Sequence, residues 1–312
     1  HGWRRVQGEP GMMVAEKTHH WRGEMRINEP MSGHTSWRTG GPARRFYQPS
    51  DLDDLSDFLR EMDPREPLLW LGLGSNLLVR DGGYPGTVIL IHGVLTELDW
   101  LDETTLRAGA GVTCAKVARV SAKQGLTGVE FLAGIPGSIG GALAMNAGAF
   151  GGETWDHVAA VETIDRSGQL HTRTPEQFRT AYRTVVGAAD EWFVAARLSL
   201  EHGDSGQAQA KIRGLLAQRA ASQPTDQFSC GSVFRNPPGD HAARLIEAAG
   251  LKGKTLGGAQ VSPKHANFIV NTGDASAADI ETLLIQVQGR VEQLYGVRLE
   301  TEVRIVGEHA AT

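Results

Sequence analysis

A chain of 312 residues is too long for one minimal core and calls for two or three domains; its net charge of −5, without a long basic run, argues against a nucleic-acid groove. Two cysteines, Cys114 and Cys230, make no disulfide framework. No Cys-x-x-Cys or His-x-x-x-His pair suggests a metal, and no apolar run reaches the ~18 residues of a membrane span, so the expected setting is a reducing cytoplasm without metal or membrane.

In chain order, residues 1–20 are polar and lack the apolar segment of a signal peptide; they read as an extension, taken as far as residue 23. A helix is expected over 50–62, with Ser50 as N-cap and Leu52, Leu55, Leu59 and Met62 on one face. Strand-like runs at 68–71 and 87–91 flank a glycine-rich turn, and 114–124 reads as a helix stopped by Gly125. Strand patterns return at 158–164 and 192–200, the first followed by a hairpin-type turn at 166–168. Polarity rises over 201–210, which places a domain boundary there, and a helix is expected over 209–221. A short helix over 240–250 takes Asp240 as N-cap and Gly250 as stop. The longest helix is expected over 275–295, capped by Asp274, with Ile280, Leu284, Val287, Val291 and Leu294 facing a core; a strand over 297–307 follows. Helices and strands mix without regular βαβ spacing, so the class is α+β.

Two glycine stretches stand out in a chain with 39 glycines, where about 7% would be ordinary. "GLGSN" (72–76) follows a strand, and consecutive amides there suit an anion. It lacks the third glycine of a dinucleotide fingerprint and the lysine of a P-loop. "GIPGSIGGALAMNAGAFGGE" (134–153) holds seven glycines in twenty residues, a density better explained by close backbone approach to a large, flat, charged ligand than by regular structure.

With "HTSWRTGGPA" (34–43) and "GAGV" (109–112), these blocks resemble the flavin-binding half of the UDP-N-acetylenolpyruvoylglucosamine reductase family. "AYR" (181–183), "CGSVFRNP" (230–237), "SPKHANFIVN" (262–271) and "LETEVRIVG" (299–307) are similar to its remaining signatures. The resemblance implies a two-subdomain FAD-binding fold of the vanillyl-alcohol-oxidase type (24–93 and 94–204), an α/β substrate-binding domain (205–298) and a last strand (299–312) returning to the FAD side. It implies non-covalent FAD reduced by NADPH, and hydride transfer to the enolpyruvyl double bond of a UDP-sugar during peptidoglycan synthesis. A monomer or weak oligomer is expected.

By residue-wise match, the resemblance makes Ser232 the proton donor, Arg183 the group that holds the substrate carboxylate, and Glu302 either the stabiliser of the enol form or the group that orients Ser232. It gives the cofactor Thr35, Gly41, Gly72, Gly74, Ser75, Asn76, Gly109, Gly134, Pro136, Gly137, Ser138, Gly140, Asn146 and Gly148. It gives the substrate Tyr182, Asn236, Asn267 and Arg304, with Lys252, Lys254 and Lys264 as further candidates for its pyrophosphate. Read without the family, Arg183 is a surface ion-pair partner, Glu302 a solvent-facing strand residue, Ser232 a turn residue and His265 a surface-loop histidine. Cys230 has no base or partner cysteine and reads as a packing residue, which leaves a cysteine hydrolase unsupported. A vanillyl-alcohol-type oxidase or a silent flavin-binding protein would explain the glycine loops but not the Arg–Ser–Glu set. No tyrosine occurs between Tyr182 and Tyr295, which assigns the shorter, type II branch without the tyrosine-bearing covering loop.

Overall fold

The structure, a computed structural model, describes residues 19–311. The expected extension therefore lies outside the described residues up to residue 18, and its last part is anchored. Trp21 meets the rings of Tyr47 and Phe58 edge-on, at centroid distances of 5.4 and 5.7 Å, and Arg22 pairs with Asp51 at 2.7 Å.

The first unit holds β1 (Glu24–Pro30), β2 (Pro42–Gln48), α1 (Leu52–Glu61), β3 (Leu68–Leu71), β4 (Leu77–Val79) and β5 (Tyr84–Leu90). Its sheet runs β1-β2-β5-β3, antiparallel at the first pair and parallel at the other two. Alternation along the strands builds two cores. Phe46, Val88 and Leu69 pack with Met31 on one face; Tyr47 and Ile89 pack on Leu55, Phe58 and Leu59 of α1 on the other. The α1 cap is Asp51, not Ser50: its carboxylate accepts from the Asp54 amide at 2.8 Å.

The second unit holds β6 (Leu98–Trp100), β7 (Thr105–Gly109), α2 (Cys114–Lys123), α3 (Ile139–Met145), β8 (Val158–Asp165), β9 (Leu170–Arg173), a hairpin of β10 (Arg179–Ala181) and β11 (Thr184–Val186), and β12 (Glu191–Ser199). Its antiparallel sheet runs β9-β8-β12-β7-β6. Helix α4 (Ser205–Ser222) starts earlier than expected because Asp204 caps it, accepting from the Gln207 amide at 2.7 Å. Its buried Ala208 and Ile212 join the second unit's core with Val117, Ala118 and Leu132. The polar stretch at 201–210 thus does not separate two cores.

The third unit holds β13 (Phe228–Ser229), α5 (Ala242–Ala248), β14 (Thr255–Leu256), β15 (Ala259–Val261), β16 (Ile269–Asn271), α6 (Ala277–Tyr295) and β17 (Arg304–Val306). The small sheet runs β13-β16-β15-β14, with Leu245, Ile246, Ile280, Leu284, Val287 and Val291 in its core. Three cap and face expectations are corrected. Asp240 pairs with Arg244, and it is the Asn236 amide oxygen that accepts from the first α5 amide, Ala242, at 3.1 Å. A capping box of Ser276 and Asp279 starts α6 in place of Asp274, and Leu294 is 43% exposed. The strand expected over 297–307 shrinks to β17, because the backbone before it bonds elsewhere: Arg235 N donates to Glu300 O at 2.8 Å and Glu302 N to Val233 O at 2.8 Å.

The chain's end returns to the first unit, β17 pairing in parallel with β4. Trp37 Nε1 donates to Ile269 O at 2.7 Å, Asn271 Nδ2 donates to Trp37 O at 2.8 Å, and Arg80 pairs with Glu281 at 2.8 Å. Among the described residues, no helix is long and apolar enough to cross a membrane.

Candidate active site

A cavity of about 710 Å³ opens between the units, a size ordinary for small-molecule sites. Loops 72–76 and 134–138 line it together with Arg183, Ser232, Glu302 and Arg304. Arg38, Arg183, Arg219, Arg235 and Arg304 line it against a single carboxylate, Glu302. In a chain of net charge −5 that local excess of cation favours an anionic ligand.

In the first glycine loop, Gly74 has φ +64°, and a Cβ there would lie 2.0 Å from His34 O, so only glycine fits. The amides of Leu73, Gly74, Ser75 and Asn76 donate to no backbone carbonyl among the described residues, which makes a row of donors available to an anion. Asn76 is committed elsewhere: Nδ2 donates to Glu302 O at 3.0 Å, and its carbonyl accepts from Arg304 N at 3.0 Å. The loop is thereby tied to the segment that carries Glu302. In the second loop, a Cβ on Gly137 would meet no protein atom within 3.5 Å, its nearest neighbour being Ile135 at 3.6 Å. Packing does not require glycine there; what a side chain would intrude on is the cavity. A pyrophosphate-linked, flat cofactor fits this cradle of bare backbone.

Of the residues expected to bind the cofactor, Gly72, Gly74, Ser75, Asn76, Gly134, Pro136, Gly137, Ser138 and Gly148 line the cavity. Thr35, Gly41, Gly109, Gly140 and Asn146 do not, and each has a packing reason. Thr35 is buried and donates to Thr39 O at 2.9 Å. A Cβ on Gly41 would lie 2.3 Å from Asp81 O, one on Gly109 2.4 Å from Leu95 O, and one on Gly140 3.0 Å from Ala110 Cβ. Asn146 ends α3 at φ +46° and spends its amide on Glu153 at 2.8 Å and Trp155 N at 3.1 Å.

Among the side chains of the cavity, Arg183 occupies the two-residue turn between β10 and β11 at φ +52°, a conformation that disfavours a side chain. Its Nε donates to Glu302 Oε1 at 2.8 Å, its Nη2 to Gly148 O at 2.9 Å and its Nη1 to Asn146 O at 3.4 Å. N–H groups on both terminal nitrogens remain unspent. Burial raises the Glu302 carboxyl above its usual value, outweighing the opposing pull of Arg183. Ser232 follows Gly231, whose φ is +71°, and is half-buried on the cavity wall. Behind it Cys230 is buried, its sulfur 3.6 Å from the carbonyls of Gly74 and Leu77, and burial pushes its thiol up to about 12. It is a packing residue, not a nucleophile.

The substrate candidates divide. Arg304 lines the cavity; Tyr182, Asn236 and Asn267 do not. The Tyr182 hydroxyl accepts from Asn236 N at 3.4 Å, while Asn236 caps α5. Asn267 is buried and clamps the serine segment: its amide oxygen accepts from Phe234 N at 3.1 Å, and its Nδ2 donates to Phe234 O at 2.8 Å. Lys252 pairs with Glu247 at 2.7 Å, Lys264 donates to Ala220 O at 2.5 Å, and neither they nor Lys254 line the cavity. The cations present are instead Arg38, Arg219 and Arg235, which sequence reasoning missed; Arg235 lies inside the quoted "CGSVFRNP" block and was legible there. His265 is half-buried, and its Nδ1 accepts from Asn267 N at 3.2 Å, so it supports the same clamp rather than a surface loop. Among the described residues no cluster of His, Cys, Asp or Glu could hold a metal ion.

The family described as "FAD binding domain" matches residues 43–174, and that described as "UDP-N-acetylenolpyruvoylglucosamine reductase, C-terminal domain" matches residues 223–306. The reductase of Methylococcus capsulatus is 61% identical over 290 residues, covering 93% of this chain and 95% of that protein. That of Alkalilimnicola ehrlichii is 59% identical over 297 residues, covering 95% and 99%. The crystal structure of UDP-N-acetylenolpyruvylglucosamine reductase from Thermus caldophilus superposes with a TM-score of 0.79 at 34% identity, covering 91% of this chain and 98% of that one. The chain therefore belongs to the UDP-N-acetylenolpyruvoylglucosamine reductase family of FAD-dependent oxidoreductases.

Proposed function

We propose that the protein reduces the enolpyruvyl ether of UDP-N-acetylglucosamine to UDP-N-acetylmuramate at the expense of NADPH, with Arg183, Ser232 and Glu302 as its reacting side chains. The observation that carries this reading is that these three line one cavity together with the bare glycine loops, Arg183 paired to Glu302. FAD, when bound, supplies the redox chemistry, taking hydride from NADPH and passing it to the terminal vinyl carbon. Gly72, Gly74, Ser75, Gly134, Gly137 and Ser138 would hold it through backbone and hydroxyl groups.

The chain's own residues handle charge and proton. Hydride addition leaves an electron pair on the carbon beside the substrate carboxylate. The unspent N–H groups of Arg183 bind that carboxylate and hold its growing charge, inside a cavity already rich in arginine. Glu302 and the carbonyls of Asn146 and Gly148 fix the guanidinium plane. The Ser232 hydroxyl gives its proton to the carbon, and the serine oxygen regains a proton from water. Arg304 and Arg219, which line the same cavity, would take the diphosphate. The shorter, type II branch is supported by the lack of any tyrosine between Tyr182 and Tyr295.

The test is an anaerobic one. The FAD-loaded protein is reduced with NADPH and then mixed with the enolpyruvyl UDP-sugar. Return of the oxidised flavin spectrum only with that sugar is the expected result; return only with oxygen would identify an oxidase instead.

A further inference from the structure

We propose that Arg235 is a positioning residue for Arg183, holding the strained Tyr182–Arg183 turn from the neighbouring unit, at the cavity's edge, so that the Arg183 guanidinium reaches Glu302 and the cavity. The inference rests on the reading of Arg183 as the carboxylate-binding group.

Little within the hairpin holds that turn. β10 and β11 make a two-stranded ribbon paired to no further strand, and such ribbons are marginal on their own; Val185 of β11 packs on the second unit's core and Asn146 Nδ2 donates to Ala181 O at 3.3 Å, but every residue of β10 is exposed. Yet Arg183 sits in the left-handed region, and its side chain makes three directed bonds. Something must hold the backbone there. Arg235 touches it from the neighbouring unit: Nη2 donates to Arg183 O at 3.0 Å, and Nη1 donates to Thr184 Oγ1 at 3.2 Å. Both partners are neutral, and Arg235 Nε is buried with no partner. A guanidinium placed for charge pairing would aim its fork at a carboxylate. This one spends both terminal nitrogens on a carbonyl and a hydroxyl of the turn, as expected of a brace, leaves Nε without a partner among the described residues, and acts on the Glu302 carboxylate only through its charge, without a hydrogen bond.

The brace stands on firm ground. Arg235 N donates to Glu300 O, and Val233 O accepts from Glu302 N, both at 2.8 Å. One segment therefore carries Ser232, pairs with the backbone that carries Glu302, and reaches through Arg235 to Arg183. A shift of the hairpin would separate Arg183 from the other two.

The test compares the FAD-loaded wild type with Arg235→Met, Arg235→Lys, Arg183→Met and the Arg183→Met/Arg235→Met double variant. The two half-reactions are followed separately without oxygen. Arg235→Met is expected to slow sugar-dependent reoxidation at saturating sugar by about tenfold or more, the scale of one charge-assisted hydrogen bond, and to slow reduction by NADPH far less. Arg235→Lys, which keeps one donor for the Arg183 carbonyl, recovers part of the loss. In the Arg183→Met background the Arg235 change adds little, because its route to the reaction is already cut. Equal losses in both half-reactions, no recovery with lysine, or the full loss repeated in the Arg183→Met background would each overturn the inference. Amide hydrogen exchange over 179–186 needs no sugar: it accelerates in Arg235→Met if Arg235 braces the turn, and unchanged exchange overturns the inference. A wild type that fails to use the sugar counts against the proposed function, and the exchange result still decides the brace.

Discussion

Loop 72–76 and segment 232–236 face the same cavity and are built in opposite ways. In the first, four consecutive amides have no backbone acceptor and the one committed side chain, Asn76, points away to the C-terminal segment. In the second, the backbone is bonded on both sides, by Asn267 and by the segment carrying Glu302, and the side chains of Ser232 and Arg235 are what reach the cavity. One stretch presents bare backbone to the cavity; the other presents side chains. A cofactor that must sit close and flat needs the first, and proton delivery needs the second, because a hydroxyl must be held at a defined point.

The sharpest break of this contrast is Ser232→Ala. It should slow sugar-dependent flavin reoxidation by about 10²–10⁴-fold, the usual weight of a general acid, while reduction by NADPH changes far less. Losses of equal size in stopped-flow traces of both half-reactions would make Ser232 structural. In the glycine loop, Gly74→Ala should shed flavin and lower the melting temperature together, since strain at φ +64° alone costs about 1–3 kcal/mol before the clash with His34 is counted. Gly137→Ala should separate the two effects. With no protein atom nearer than 3.6 Å, it should leave the cofactor-free protein within about 0.5 kcal/mol of wild-type stability and still weaken flavin binding in a titration.

Asn267→Ala asks whether that asparagine clamps or binds. A clamp predicts about 2 kcal/mol or more of lost stability by denaturant unfolding, because a buried donor and acceptor on Phe234 lose their partners. A substrate ligand would instead raise KM at unchanged stability. The smallest effect concerns pH. The Glu302 carboxyl is raised above 4.5 in the folded state, so the folded state holds the proton more tightly than the unfolded one between 4.5 and the raised value. Stability should therefore fall as pH rises through that window, and Glu302→Gln should flatten this part of the stability–pH curve.

Much of this was legible in the sequence for a simple reason. Strands at 68–71 and 158–164, and the helices beginning at Cys114 and before Ile280, announce themselves by periodicity, which depends only on neighbours along the chain. The blocks carrying Arg183, Ser232 and Glu302 were equally visible, and the dismissal of Cys230 needed only its lack of partners. Caps were harder: Asp51 replaced Ser50 and Ser276 replaced Asp274, since adjacent polar residues compete and the outcome turns on which oxygen reaches an amide. What lay beyond the sequence was the use of polar groups across long separations. Asn236 and Asn267 looked like ligands and are spent on backbone, Gly41 and Gly109 looked like cradle and are spent on packing, and the cavity's extra cations are arginines rather than lysines. The residue types and their order along the chain determined the family and brought the glycine loops and the Arg183, Ser232 and Glu302 blocks to notice. Only the tertiary structure decided which glycines and asparagines face the cavity, because a hydrogen-bonding group serves a ligand only where folding has left it no partner of its own.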